Sequence, residues 1–521
     1  MVLGLVPIFE QSARAAGEAA YIAEVFPTAT AINDDGVIKV TVDNVLNSYE
    51  SPPDLIIALY NKQNKLIALH TKEVIADLAN YPFDTKPFDG AESAKIFLWD
   101  SMENLIPVSE LICISVVSEH NPDYTNIFEG DGTKENPYKI ENSEQLAKLS
   151  EAVNNGIGTY SRAYYILENN LDLSIYNAQN TDFNGGKGWI PIGTFDWDTN
   201  LDRSFAGHFD GQNRTIANMY INDSNSERVG LFGHTQNAAV RNLGIINVNV
   251  TAGQWVGAVA GDVCAENESA DIENCYSTGA INGECQVGGI TGFVYGENGN
   301  ASVKNCYSSC AVRGTQMQIG GVAGDVLGND GGNAIIENCY STGTIIGDYV
   351  VGGVAGSLMA FNGGARIENC YSISPIFGKN SVGGIVGDIL AYDSIANIKN
   401  NAALNSSIDG VSDVGRIVGS ADTEGLTGEL YSGNVAFMAL ASRTESGNDG
   451  ESKNPAQIRA ADFFNNLFGM TNSVWIYVAD RLPILNNLQG QNDQIPPHIP
   501  RASTGDSSNN GGSSSNIVVV D

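Results

Sequence analysis

The chain has 521 residues, 60 of them acidic and 27 basic, for a formal net charge of −33. A surface this anionic excludes attachment to nucleic acid or anionic membranes by charge attraction, and it favours solubility and divalent cations. No apolar run reaches the roughly 18 residues of a membrane-spanning helix, and the length predicts two or three domains.

Residues 1–20 open with MVLGLVPIF and then SARAAGEA. Ala13 and Ala15 fit a small-x-small cleavage pattern, so the stretch reads as the remnant of a secretory signal whose basic leader is missing. The plainer alternative is an apolar terminus. Residues 21–120 carry VIKVTVDN, DLIIALYNKQNKLIALHTKEV, AKIFLWDS and ELICISVV. These are strands at short spacing, with NKQNK as a hairpin loop, and they predict an immunoglobulin-like β-sandwich. The unit shows no catalytic grouping, which makes it a spacer or docking module.

NSEQLAKLSEAVNNG is the one convincing helix, with Asn142 or Ser143 as N-cap and Gly156 as its stop. It stands where the architecture that follows needs its open end covered. Next comes DWDTNLD, in which Asp196, Asp198, Asn200 and Asp202 alternate like the start of a calcium loop. Leu201 and Gly207 depart from the EF-hand pattern, so the expectation is a looser oxygen cage for calcium. Its competitor is a solvated acidic insertion.

From residue 256 the chain repeats itself. VGAVAG, VGGITG, IGGVAG, VGGVAG, VGGIVG and VGRIVG begin at 256, 287, 319, 351, 382 and 414, hence 31 or 32 residues apart. IENCYSTGAI, VKNCYSSCAV, IENCYSTGTI and IENCYSISPI alternate with them, and a decayed copy, IKNNAALNSSI, begins at Ile398. Such a period, with short β-branched runs between Gly, Asn and Ser turns, predicts a β-solenoid. Equivalent residues then stack as ladders about 4.8 Å apart. Asn274, Asn305, Asn338, Asn369 and Asn400 form an amide ladder in which each side chain bonds to the next. The glycines supply positive φ at corners and close backbone approach. Ile336, Ile345, Val351 and Val354 fill the interior.

NCYSTG followed by VGGVAG resembles the GLUG-motif repeat of large bacterial surface proteins. GDGTKENPYKIENSEQLAKLSEAVNNG, YYILENNLDL, WIPIGT, FAGHFDGQNRTIANMYI and VGLFGH resemble the usual lead-in to such arrays. The resemblance runs over residues 128–488 and implies an all-β, right-handed parallel β-helix-like solenoid on an exported protein. It implies little about activity. NPAQIRAADFFNNL and VWIYVADRLPIL are expected to close the far end of the stack, and residues 489–521 read as a disordered linker to a missing downstream part.

Cys275, Cys306, Cys339 and Cys370 share one repeat position. Parallel Cβ vectors do not give a disulfide dihedral, so they read as a small buried ladder of free thiols, which fits a reducing habitat. Cys264, Cys285 and Cys310 lie off it and are left unassigned. The five histidines are scattered, without HExxH; there is no G-x-S-x-G elbow, and GDSS at Gly505 falls in the expected disordered tail. Asp262, Asp325 and Asp388 follow the VAG or IVG segment in alternate coils and are read as solvated corner acids. A polysaccharide-degrading β-helix enzyme would use them as a clustered pair instead.

These features point to a non-catalytic, exported bacterial surface protein that binds host or cell-wall glycans, surface proteins or peptides. The alternatives are the β-helix enzyme and a stalk presenting a missing domain. The binding row is expected to be Tyr276, Tyr307, Tyr340 and Tyr371, an outward stripe of one ring per coil.

Overall fold

The computed structural model describes residues 127–501 except 197–200, 441–448 and 470–473, together with the backbone of seven strands between residues 28 and 118. Those seven strands form one connected ladder, and Ile112–Ser118 pairs in parallel with Thr28–Asp34 and antiparallel with Ser93–Trp99. Asp54–Tyr60 and Leu66–Glu73 pair antiparallel across NKQNK, as the hairpin reading requires. The sandwich packing of this unit rests on side chains outside the described residues.

The repeats form a β-solenoid of stacked parallel coils. One wall is a sheet of six strands, from Gln254–Val256 to Ser412–Gly415, and a second holds six from Ala260–Glu266 to Val418–Glu424. A third, larger sheet carries the NCYS segments. Repeat partners face one another in register, as in Tyr307↔Tyr340, Val351↔Val382 and Ile336↔Ile367. Ile336, Ile345, Val351 and Val354 are fully buried, as are Cys275, Cys306, Cys339 and Cys370. All seven described cysteines are free, and burial pushes the Cys306 and Cys370 thiols well above their ordinary pKa. Where the thiol row ends, Asn401 continues it and accepts a hydrogen bond from the Cys370 amide at 2.9 Å.

In two of the repeats a serine ties the two halves together. Ser341 Oγ donates to the Gly353 carbonyl at 2.5 Å and lies 2.9 Å from Ser372 Oγ, and Ser277 is placed the same way against Gly289 and Ser308. These hydroxyls are buried, and each is satisfied by the ladder it belongs to.

Positive φ falls differently from expectation. It is carried by the Asn row, where Asn274, Asn305, Asn338, Asn369 and Asn400 lie at φ 53–55°, and by a second row at Trp255, Gln286, Gln318, Val350, Ser381 and Asp413. Asparagine tolerates this left-handed region because its short amide bonds locally. The glycines of VGGVAG serve close approach instead: a Cβ on Gly352 would sit 1.9 Å from the Ala355 carbonyl oxygen. The amide ladder is also interrupted. Asn338 bonds Asn305 and Asn400 bonds Asn369, but the Asn305 amide turns to Glu273.

Val350 is the costly member of the second row, a β-branched residue at φ 55°. Val350→Asn is expected to stabilise the fold by about 1 kcal/mol, read from urea midpoints at unchanged m-value. No change, or a loss, would show that Val350 packing outweighs its backbone strain.

The lead-in helix spans Ser143–Asn154. Asn142 caps it by accepting from the Gln145 amide, and Gly156 follows its end at φ 76°. Leu146, Leu149, Ala152 and Val153 are buried in the core that also holds Trp189, Ile192 and Phe205.

The C-terminal segment does not close the stack end. It lies along the side of the solenoid over the Tyr row, through helices Pro455–Ile458 and Phe463–Phe468 and the paired strands Trp475–Ile476 and Ile484–Leu485. Gln489 reaches back to the Asn213 carbonyl at 3.4 Å, and His498 then returns to the Leu404 carbonyl at 2.8 Å. Residues 489–501 are therefore part of the fold, with Ile499 fully buried. The linker expected from 489 begins no earlier than 502, outside the described residues.

Candidate functional site at the head of the solenoid

Alternation along a strand decides the fate of the acidic run. Thr194–Asp196 and Leu201–Arg203 form an antiparallel hairpin with pairs Phe195↔Asp202 and Asp196↔Leu201. Cross-strand partners share a face, so Asp196 and Asp202 point to opposite faces and do not join one oxygen cage. Asp198 and Asn200 lie outside the described residues. Asp196 lines an open cleft of about 590 Å³ with Lys187, Thr194, Phe195, Asp223 and Glu227. Lys187 and Asp223 pair across it at 2.7 Å. Asp202 turns toward a buried histidine instead, and its Oδ1 lies 3.8 Å from His234 Nε2.

His234 comes from VGLFGH, the first coil of the glycine pattern. Bridges Phe232↔Ala260 and Gln236↔Cys264 set it opposite Asp262. Its Nδ1 lies 2.8 Å from Asp262 Oδ1. Asp262 also accepts from Arg228 Nε at 2.6 Å and from the Thr235 amide at 3.0 Å. The Arg228 guanidinium sits over the rings of Phe195 and Trp255, at 5.0 and 4.8 Å. Burial alone would raise the Asp262 carboxyl, but His234 and Arg228 hold it below its usual value. Burial alone would lower the imidazole, but Asp262 outweighs it and the pKa rises. Cys264, two residues along the same strand, keeps its proton, because burial and the Asp262 charge push the thiol well up. Sequence reading passed over His234 as one of several scattered histidines. The available signal was its place in VGLFGH, at the ladder position Asp262 takes in the next coil.

The acid ladder follows the expected register, Asp262↔Phe293↔Asp325↔Ser357↔Asp388↔Ser420. Its members are not solvated corner acids. Asp262 is 1% exposed and Asp325 is 3% exposed, because the ladder runs along the second six-stranded sheet beside the left-handed row, whose Gln318 and Ser381 bond its members Ser357 and Ser420. Ser357 Oγ donates to Asp325 at 2.5 Å, and Ser420 Oγ to Asp388 at 2.6 Å. Burial raises the Asp325 carboxyl to about 7 and raises Asp388 as well. Asp262 is thus held ionised while Asp325 keeps its proton well above the usual carboxylate range.

The tyrosine stripe forms but is not open to solvent. Tyr276, Tyr307, Tyr340 and Tyr371 stack with centroids 5.0, 5.0 and 4.6 Å apart and planes within 7° of parallel. They are 6, 2, 1 and 0% exposed, because the C-terminal segment lies over them. Their hydroxyls donate to it: Tyr307 to the Gln489 carbonyl, Tyr340 to Gln491 Oε1 and Tyr371 to the Pro483 carbonyl. Trp475 packs against Tyr340 and Tyr371 and donates its Nε1–H to Asn338. These four residues are structural in this fold and do not form an outward binding row.

Among the described residues no helix is long and apolar enough to cross a membrane. No family model matches the chain. A stretch of 164 residues is 32% identical to a protein named halomucin from Haloquadratum walsbyi, covering 31% of this chain and 2% of that protein. A stretch of 148 residues is 32% identical to a putative Gly-rich membrane protein from Evansella cellulosilytica, covering 28% of this chain and 15% of that protein. The chain thus spans only a small part of the length of these relatives, and the likeness joins it to segments of much longer proteins.

Proposed function

We propose that this chain is part of an exported, non-catalytic cell-surface protein of the GLUG-repeat kind, which binds glycan along the outer wall of its solenoid. The β-solenoid fold and the partial likeness to longer proteins, one named halomucin and one a membrane protein, support the surface setting. The helix Ser143–Asn154 serves as the cap of the stack's first end. The observation that carries the binding reading is a row of exposed rings and apolar side chains on consecutive coils. Met317 and Tyr349 face each other on neighbouring coils, as do Ile346 and Phe377. They are 46, 43, 40 and 40% exposed, while nearly every other large apolar side chain of these coils is covered. Arg313, Asp348, Lys379 and Asn380 flank them, and Lys379 pairs with Asp348 at 2.6 Å. Flat apolar surface with a polar rim suits the two-sided character of a sugar ring.

Tyr349→Ala with Phe377→Ala is expected to weaken retention on purified wall or host glycans at least tenfold, with the thermal midpoint nearly unchanged. Equal retention of the double variant would sink this binding surface and leave the stalk reading. The enzyme reading rests on the unlike environments of Asp262 and Asp325. Depolymerisation of a polysaccharide by the native chain, lost in Asp325→Asn, would establish it.

A further inference from the structure

We propose that Asp325, Gln286, Gln318 and Ser357 close a ring of four hydrogen bonds across three consecutive coils, and that this ring is a pH-sensitive clasp, held shut by the carboxyl proton. Three of the links are in place. Gln286 Nε2 donates to Gln318 Oε1 at 2.6 Å, Gln318 Nε2 to Ser357 Oγ at 3.0 Å, and Ser357 Oγ to Asp325 Oδ1 at 2.5 Å. The fourth follows from register. The left-handed row reaches one coil onward to the acid row. Gln318, just before IGGVAG, meets Ser357, just after VGGVAG. Ser381, just before VGGIVG, lies 2.7 Å from Ser420, just after VGRIVG. By the same step Gln286, just before VGGITG, meets Asp325, just after IGGVAG. Gln286 Oε1 is buried and has no hydrogen-bond partner, so it is the acceptor that an Asp325 O–H requires.

Four links need four donated hydrogens. Around the ring the two amides and the hydroxyl supply one each, so the fourth is the carboxyl proton. Turning either amide end for end only moves the gap. Once the proton leaves, one link sets two acceptors against each other in a buried site. The groups facing Asp325 are Phe293 and Ser357 in its own row and Gln286 and Gln318 in the row beside it, and none is charged. The acids of its row, Asp262 and Asp388, stand two coils away, about 10 Å. Burial, not a neighbouring charge, raises this carboxyl to about 7. Below that pH the ring is closed and staples three coils together. Above it one link fails and the coils around it loosen. Asp325→Asn keeps the fourth hydrogen at every pH, since its amide donates to Gln286 and accepts from Ser357.

The test uses the full chain. The infrared spectrum of the parent at about pH 5.5, minus that at about pH 8.5, is expected to hold the carbonyl band of one protonated carboxyl, which Asp325→Asn removes. Gln286→Met keeps the bulk and takes away the acceptor, and it is expected to move that band to higher wavenumber or abolish it. Hydrogen exchange reads the clasp itself and needs no change at Gln286. Raising the pH over the same interval is expected to lower protection of the parent about tenfold relative to Asp325→Asn at the same pH, in Cys285–Gly288, Met317–Gly320 and Ala355–Phe361. No carboxyl band in the parent, a band that Gln286→Met leaves in place, or equal protection of parent and Asp325→Asn in these strands at the higher pH overturns the proposal.

Discussion

Tyr371→Ala is expected to destabilise the protein by about 3–5 kcal/mol, the range for deleting a fully buried aromatic ring. The ring is 0% exposed, stacks on Tyr340 at 4.6 Å, packs against Trp475 and Phe464, and donates to the Pro483 carbonyl. Its removal opens a cavity between solenoid and strap and leaves that carbonyl without its donor. Tyr371→Phe separates the two effects and is expected to cost about 1 kcal/mol, the worth of the hydrogen bond. Tyr349→Ala is the control: that ring is 43% exposed, and its loss is expected to stay within about 0.5 kcal/mol. Chemical denaturation with m-values checks all three. A Tyr371→Ala variant as stable as the parent would mean that the strap does not seat on the ring.

The second large effect depends on pH. The Asp325 carboxyl is raised to about 7 in the fold, by burial that outweighs its hydrogen bonds from Ser357 and Gln318. Below its ordinary value of 3.8 both folded and unfolded chains hold the proton, and this group contributes no slope. Between there and pH 7 the unfolded chain has released the proton and the folded chain keeps it, so rising pH favours unfolding. Above pH 7 both are ionised and the loss is complete. Over the interval the group removes about 4 kcal/mol, at roughly 1.4 kcal/mol per pH unit. Asp325→Asn keeps the acceptor for Ser357 and removes the titration. The stability of the variant minus that of the parent is expected to climb from pH 4 to 7 and then level off. A flat difference across that interval would falsify the buried, protonated carboxyl.

How much of this was legible in the sequence follows from where each signal lies. The register was legible, because NCYS and VGG recur and each repeat offers its own copy of the alignment; the ladders of Cys339, Tyr340 and Asp325 follow from it. The environment of a ladder was not. Tyr340 has the same neighbours along its ladder whether water or protein lies beyond it, and what covers it is a segment 135–151 residues away that does not repeat. The buried acids misled for a related reason. An Asp after glycine reads as a corner in water, whereas Asp262 and Asp325 sit inside strands with the left-handed row packed beside them. His234 was hidden because VGLFGH is one residue shorter than the coils after it, so counting from the valine does not align it with Asp262. The acidic hairpin was read as one cluster, although strand alternation splits Asp196 from Asp202.

Stacked coils that touch only their neighbours come apart from either end, one rung at a time. The segment over the tyrosines changes that. It leaves the last coils, meets Tyr307 and Asn213 near the head, and comes back to Leu404 before the chain reaches Arg501. Tension applied beyond Arg501 is therefore borne first by the strap. Its contacts with Leu404, Tyr371, Tyr340 and Tyr307 span several coils, so the last coils cannot fray unless the segment over them lifts as well.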